Sequence, residues 1–188
     1  MVHILVLTGT PGTGKTYFSN KLEKALQGKH VLVVHANEIA KTYAFSKDKY
    51  GSQIINIHRL ANALNHIISS NANAYDFIIF EGHLLCDIRI RGAIAIVLRE
   101  HLSILLRRLR ARKYPVGKIN ENIVAEALDY CGQHAERNYT QVVELIASDK
   151  GTLKKLISTA KGRQVKTKPI ELLEELVSIM RKQKNFSI

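Results

Sequence analysis

The apolar positions of this chain follow two rhythms. Short unbroken runs rich in Val, Ile and Leu occupy residues 3–8 (HILVLT), 30–35 (HVLVVH), 75–81 (YDFIIFE) and 93–98 (AIAIVL). Bounded by glycines and polar residues, such runs predict strands buried on both faces of a parallel sheet. Between them, apolar residues recur at helical spacing. Phe18, Leu22, Ala25 and Leu26 share one face, as do Leu60, Ala61, Leu64, Ile67 and Ile68, and then Leu102, Leu105, Leu106 and Leu109. Pro115 cannot continue the last of these helices. Asn120 reads as an N-cap for the next, lined by Ile123, Val124, Ala127, Leu128 and Cys131 and able to run to about Ile146.

Residues 37–44 read as a short helix followed by a loop, a small excursion from the sheet. Residues 153–160 (LKKLISTA) could supply a fifth strand, although Lys154 and Lys155 leave that segment ambiguous. Pro169 starts a final helix with Leu172, Leu173, Leu176, Val177 and Met180 as its inward stripe. Strands alternating with helices predict a single α/β domain, a five-stranded parallel sheet with helices on both faces.

The first strand runs directly into Gly9-Thr10-Pro11-Gly12-Thr13-Gly14-Lys15-Thr16, which matches G-x-x-x-x-G-K-[ST] in full. A strand before it and a helix after it supply the context a P-loop requires. Glycines let the backbone curl and turn successive N–H groups inward as an anion nest. The positive end of the following helix adds to that field. Residues Gly12, Thr13, Gly14, Lys15, Thr16 and Tyr17 are therefore the expected contacts of a nucleoside triphosphate such as ATP. Lys15 would reach its β- and γ-phosphates, and the Thr16 hydroxyl would ligate Mg²⁺.

A carboxylate is also needed near that cation, and Glu81 ends the buried run 77–81. The alternative for Glu81 is a strand-end acid that faces solvent. His83, two residues on, could orient a water or be a plain surface group. Arg112 sits beside a Tyr114-Pro115-Val116-Gly117 elbow, where a flap could carry it onto phosphates. Its neighbours Arg107, Arg108 and Arg110 read equally as an exposed ring of arginines.

Composition changes the picture in one respect. The net charge is +12, and the excess sits in two segments. Residues 99–118 hold seven Lys/Arg against Glu100 alone, and residues 150–188 hold ten against three Glu. Such clusters can meet a small substrate's phosphates, a nucleic-acid backbone, or only solvent. No run approaches the ~18 apolar residues of a membrane span, and the first apolar run is consumed by the P-loop strand and does not read as a signal peptide. Cys86 and Cys131 read as buried free thiols of a cytoplasmic protein.

With these residues in view, the chain resembles the adenylate kinase isoenzyme 6 family, nucleotide kinases and ATPases of small-ribosomal-subunit maturation. The resemblance covers nearly the whole chain. It rests on the P-loop, Glu81-Gly82-His83, Val97-Leu98-Arg99, the run from Arg108 to Tyr114, Lys118 to Ile123, Ala125-Glu126 and Lys168-Pro169. It implies a nucleoside-monophosphate-kinase-like P-loop fold, with residues 36–58 as the monophosphate-binding insert and 111–121 as the lid. Arg112 then matches a lid arginine on ATP phosphate, Lys168 a lysine near the triphosphate site, and His83 the histidine of an acid-x-His element tied to ATP hydrolysis. The implied partners are AMP, a platform ribosomal protein of the S-eleven family and rRNA. Glu81 stands where eukaryotic members of that family carry Asp, Asn56 and His58 stand where acids are common, and 150–167 is longer and more basic than usual.

Two functions follow as expectations: phosphoryl transfer from ATP to a nucleoside monophosphate, or ATP hydrolysis that drives an RNA or ribosome assembly step. No [NT]-K-x-D element for guanine is present. Another P-loop small-molecule kinase is the remaining alternative.

Overall fold

The computed structural model describes residues 2–182. In chain order the elements are β1 (His3–Thr8), α1 (Lys15–Ala25), β2 (Val31–His35), α2 (Ala36–Lys41), β3 (Ala44–Lys47), β4 (Gln53–Ile55), α3 (Ile57–Asn71) and β5 (Phe77–Glu81). A 3₁₀ turn (His83–Asp87) leads to β6 (Ala93–Arg99), α4 (Leu102–Ala111), α5 (Val116–Ala127), α6 (Tyr130–Asn138), β7 (Val142–Ile146), α7 (Thr152–Ala160) and α8 (Leu173–Lys182).

The main sheet has five strands in the order β2-β5-β1-β6-β7, all parallel. Successive side chains of a strand point to opposite faces, and β1 divides accordingly. Val6 joins Ile78, Phe80, Leu60 and Leu64 beneath α3 and α6, while Leu5 and Leu7 join Ile79, Leu98, Phe18 and Leu22 beneath α1 and α7. A third cluster binds α4, α5 and α8 through Leu105, Leu109, Ile123, Leu172 and Leu176. The three-layer expectation holds, and β1 is central, which places its C-terminal loop in the crevice where parallel sheets bind ligands.

The fifth strand is not residues 153–160. That segment is α7, entered through Gly151 at φ 91°, with Thr152 Oγ1 donating to the Ile146 carbonyl at 2.6 Å. The strand is Val142–Ile146, a β-branched run that pairs with the free edge of β6. The helix expected from Asn120 to about Ile146 is correspondingly three elements. It starts earlier, at Val116 behind Pro115, so Asn120 lies inside it. It breaks at Asp129, whose φ is 55° and whose carboxylate accepts from the Gly132 N–H to cap α6.

Arg99 explains the break. It ends β6 with 1% of its surface exposed. Its Nε donates to Glu126 Oε1 at 3.0 Å, its Nη1 to Glu144 Oε2 at 2.9 Å, and its Nη2 to the Glu126 carbonyl at 2.6 Å. Its Nη1 also pairs with Asp129. Guanidinium charge at a strand end thus draws in the end of α5, the start of α6 and β7.

On α8, Leu172 and Leu176 are buried as expected at the helix entrance and first turn, but Leu173 and Val177 are exposed. The inward stripe is narrower than the sequence pattern because only α4 and α5 cover this helix.

The excursion at 36–58 is a short helix followed by a two-stranded antiparallel hairpin in place of the expected loop. Asp48 Oδ1 accepts from the N–H groups of Tyr50 and Ser52, both at 2.8 Å, and so shapes the turn. Asn56 caps α3 by accepting from the Arg59 N–H at 3.1 Å. The hairpin tip leans on α5. Tyr50 donates to Glu121 Oε1 at 3.2 Å, Lys49 Nζ lies 2.9 Å from the same oxygen, and Lys118 pairs with the Ser52 hydroxyl.

Candidate active site

The P-loop leaves β1 at Gly9 and enters α1 at Gly14, with Gly9, Gly12 and Gly14 at φ 133°, 99° and 101°. These are left-handed values that only glycine adopts without strain. Gly12 is hemmed in as well, since a Cβ there would sit 2.8 Å from Leu105 Cδ1. Gly12→Ala is therefore expected to cost about 1–3 kcal/mol through backbone strain, read as a lower urea midpoint at unchanged slope.

Lys15 is folded back over its own loop. Its Nζ donates to the carbonyls of Gly9 at 2.8 Å and Thr10 at 3.0 Å. Burial lowers its pKa to about 8, an effect that Glu81 and Glu126 only partly offset. The ammonium remains charged at neutral pH and is available to exchange carbonyl oxygens for phosphate oxygens.

Thr16 and Glu81 meet as the sequence suggests. Thr16 Oγ1 lies 3.3 and 3.2 Å from the two carboxylate oxygens, and Glu81 is 4% exposed, so it is not a solvent-facing strand end. A hydroxyl and a carboxylate are hard oxygen donors, the set with which proteins hold Mg²⁺ beside substrate phosphates. Among the described residues, no group of three or more His, Cys, Asp or Glu could hold a metal by itself. The donors therefore fit a cation that arrives with its phosphates.

His83 opens the 3₁₀ turn beyond β5 and lines the same cavity. Burial, aided by the nearby charges of Lys15 and Lys118, pushes its pKa down to about 4. It is a neutral imidazole near pH 7, able to accept a proton or a hydrogen bond.

The cavity measures about 300 Å³ and also takes Arg112 and Tyr17 at its rim. Arg112 is exposed at the elbow between α4 and α5, next to Lys113 at φ 56°. Tyr17 is 59% exposed and carries Lys21 Nζ 5.6 Å over its ring. Gly12, Gly14, Lys15 and Thr16 line the floor. Thr13 does not; its hydroxyl donates to the Thr10 carbonyl at 3.0 Å and braces the loop from beneath.

Lys168 is not brought into this constellation. It lines a separate cleft with Glu144, Asp149 and Lys155 at β7, two strands from β1.

Further residues reach the site without having been assigned a role in it from sequence. His35 stands 2.8 Å from Glu81 Oε1, and Asn37, Tyr114 and Lys118 line the cavity. Arg108 belongs here too. Its Nη1 donates to the Gly12 carbonyl at 3.0 Å and lies 2.9 Å from the fully buried Glu100 carboxylate, which fastens α4 to the P-loop. A polar residue at or just past a strand end is the available signal: His35 closes β2 and Glu100 follows β6.

Comparison with known proteins agrees with this geometry. A family model described as AAA domain matches residues 5–129. Several curated relatives carry the name "Putative adenylate kinase". The one from Methanosarcina barkeri is 40% identical over 129 residues, covering 67% of this chain and 66% of that protein. The one from Methanosarcina acetivorans is 36% identical over 152 residues, covering 73% and 77%. Among solved structures, the Deinococcus radiodurans tunicamycin resistance protein superposes with a TM-score of 0.55 over 89% of this chain and 100% of that one, at 18% identity, a likeness of fold alone. A P-loop closed on Lys15, a strand-end acid facing Thr16 and these matches lead to one conclusion: the chain belongs to the P-loop family of the archaeal proteins so named.

Proposed function

We propose that the protein is a nucleotide kinase that moves the γ-phosphoryl group of ATP onto AMP, giving two ADP. The supporting observation is the convergence of Lys15, Thr16, Glu81 and Arg112 on one cavity, with the 36–58 segment as its neighbouring wall. The relatives' name points the same way.

An AMP phosphate oxygen is already an anion near neutral pH, so its attack on the γ-phosphorus needs no general base. The bond from that phosphorus to the bridging oxygen breaks as the new bond forms, and ADP leaves. What remains for the protein is alignment and neutralisation of charge. Lys15 meets the β- and γ-oxygens, and Arg112 closes from the elbow onto the transferred group. Thr16, with Glu81 beside it, would hold Mg²⁺, whose chemical contribution there would be to neutralise phosphate charge.

A panel of nucleoside monophosphates, each incubated with ATP and read by ADP formation, tests this. AMP is expected to be the best acceptor. ADP formed at the same rate with no acceptor present would remove the kinase assignment.

That last result belongs to a second reading, ATP hydrolysis, which the neutral His83 beside Glu81 favours because hydrolysis needs a positioned water. Lys161, Arg163, Lys166 and Lys168 are exposed along one loop, a charge pattern suited to rRNA or a ribosomal partner in that case.

The lowered pKa of Lys15 gives a pH dependence. Bound polyphosphate favours the ammonium, so ATP binding takes up a proton above pH 8. Apparent affinity should be level below pH 8 and fall about tenfold per pH unit above it. Calorimetry at pH 7 and 9 in buffers of different ionisation heat reads the proton directly, and no uptake at pH 9 would contradict the assignment.

A further inference from the structure

The corner between β2 and α2 carries two polar side chains that the P-loop motif does not account for. His35 ends β2 in register with Glu81 on β5. Its Nδ1 lies 2.8 Å from Glu81 Oε1, a shorter contact than either distance from Thr16 to that carboxylate. An ionised carboxylate only accepts, so Nδ1 carries the proton and donates it. Two residues on, Asn37 lines the same cavity, and its Oδ1 is buried with no hydrogen-bond donor among the described residues. That oxygen faces the turn after Glu81, since a Cβ on Gly82 would lie 3.2 Å from it.

We propose that this corner is the outer wall of the divalent-cation site: His35 is a positioning residue that aims Glu81, and Asn37 Oδ1 accepts a hydrogen bond from a water on the cation. The inference rests on the triphosphate reading given above. A glutamate has three rotatable side-chain bonds, and the Thr16 hydroxyl is shared loosely between both its oxygens. The His35 bond restrains that freedom by engaging Oε1, while both oxygens stay within reach of Thr16. Mg²⁺ demands near-octahedral geometry and keeps several waters. Each of those waters is a hydrogen-bond donor that the protein must receive. An amide oxygen closed off from other donors is a matching acceptor, and leaving it unpaired would forfeit a buried hydrogen bond. Residues that orient a ligand in this way typically change metal affinity by about 10–100-fold when removed.

The test uses Mn²⁺ as the probe, titrated into the full-length protein with adenylyl imidodiphosphate and followed by the electron paramagnetic resonance of free Mn²⁺. His35→Ala and Asn37→Leu are each expected to weaken Mn²⁺ about tenfold. Their affinity for the analogue in EDTA should stay near that of the parent. His35→Asn, which can place an amide donor near the Nδ1 position, should recover most of the loss. Asn37→Asp, which keeps an acceptor, should bind Mn²⁺ at least as well as the parent.

Unchanged Mn²⁺ affinity in both His35→Ala and Asn37→Leu overturns the proposal. An equal loss of analogue affinity in EDTA also overturns it, because it marks collapse of the loop and not a misaimed carboxylate. Parent protein that binds no analogue at all gives a different result: the triphosphate reading falls, and the wall assignment falls with it.

Discussion

Lys15→Met is expected to lower phosphoryl transfer by about a hundred- to a thousandfold while leaving the protein folded. The Lys15 side chain is 7% exposed, and a methionine stem fills most of the same space. What disappears is the buried ammonium of the loop, now held by the Gly9 and Thr10 carbonyls, which on the kinase reading would meet the phosphates. The stability balance can be bounded. Moving the Lys15 pKa from 10.5 to about 8 corresponds to roughly 3 kcal/mol of cost for keeping the charged form buried, and methionine removes that cost. Against this, the Gly9 and Thr10 carbonyls lose their donor, at about 1–3 kcal/mol. The two nearly cancel. The variant should unfold in urea close to the parent midpoint, yet form ADP from ATP and AMP about a hundred- to a thousandfold more slowly. A variant that keeps more than a tenth of the parent kcat would show that Lys15 is a structural lysine.

The second large effect concerns stability. Arg99→Leu should destabilise the protein by about 3–5 kcal/mol, because Glu126 at 1% exposure is left as an uncompensated buried charge. For a chain of this size that is a fall in Tm of roughly 10 °C. Glu126 also accepts from the Glu100 N–H at 2.9 Å, so a neutral acceptor must stay at this position. Arg99→Leu combined with Glu126→Gln should then be more stable than Arg99→Leu alone. Differential scanning calorimetry on the parent and both variants decides it. A double variant no better than the single would mean that Arg99 acts by volume and not by charge.

The parts of this molecule legible in sequence are those where local chemistry and fold agree. The loop from Gly9 to Thr16 could be read residue by residue because a glycine-rich turn, a lysine and a hydroxyl have one joint use. Glu81 was found because it ends a buried run. The difficult stretch was 120–160. Its apolar stripe continues through Leu128 and Cys131, which masks the local mark of the break, the Asp129 cap with Gly132 behind it. That break is made by Arg99, some thirty positions earlier, and only the folded sheet brings the two together. The strand at 142–146 was lost for the same reason: once one helix was extended through it, the next alternating run was the only one left. His35 carries no local signal because a histidine that ends a strand is commonly a plain surface residue. Its meaning comes from its cross-strand neighbour, which sequence spacing does not reveal.

The hairpin tip resting on α5 has a further effect. Tyr50, Lys49 and Ser52 reach the first turns of the helix that follows the Arg112 elbow. Swinging either segment outward must break the same few exposed contacts, each worth at most about 1 kcal/mol. On the kinase reading proposed above, a donor nucleotide under one segment would slow escape of an acceptor under the other, and the reverse holds equally by thermodynamic reciprocity. Their dissociation constants should then improve together in the ternary complex, severalfold at most. So weak a clasp would still let both products leave.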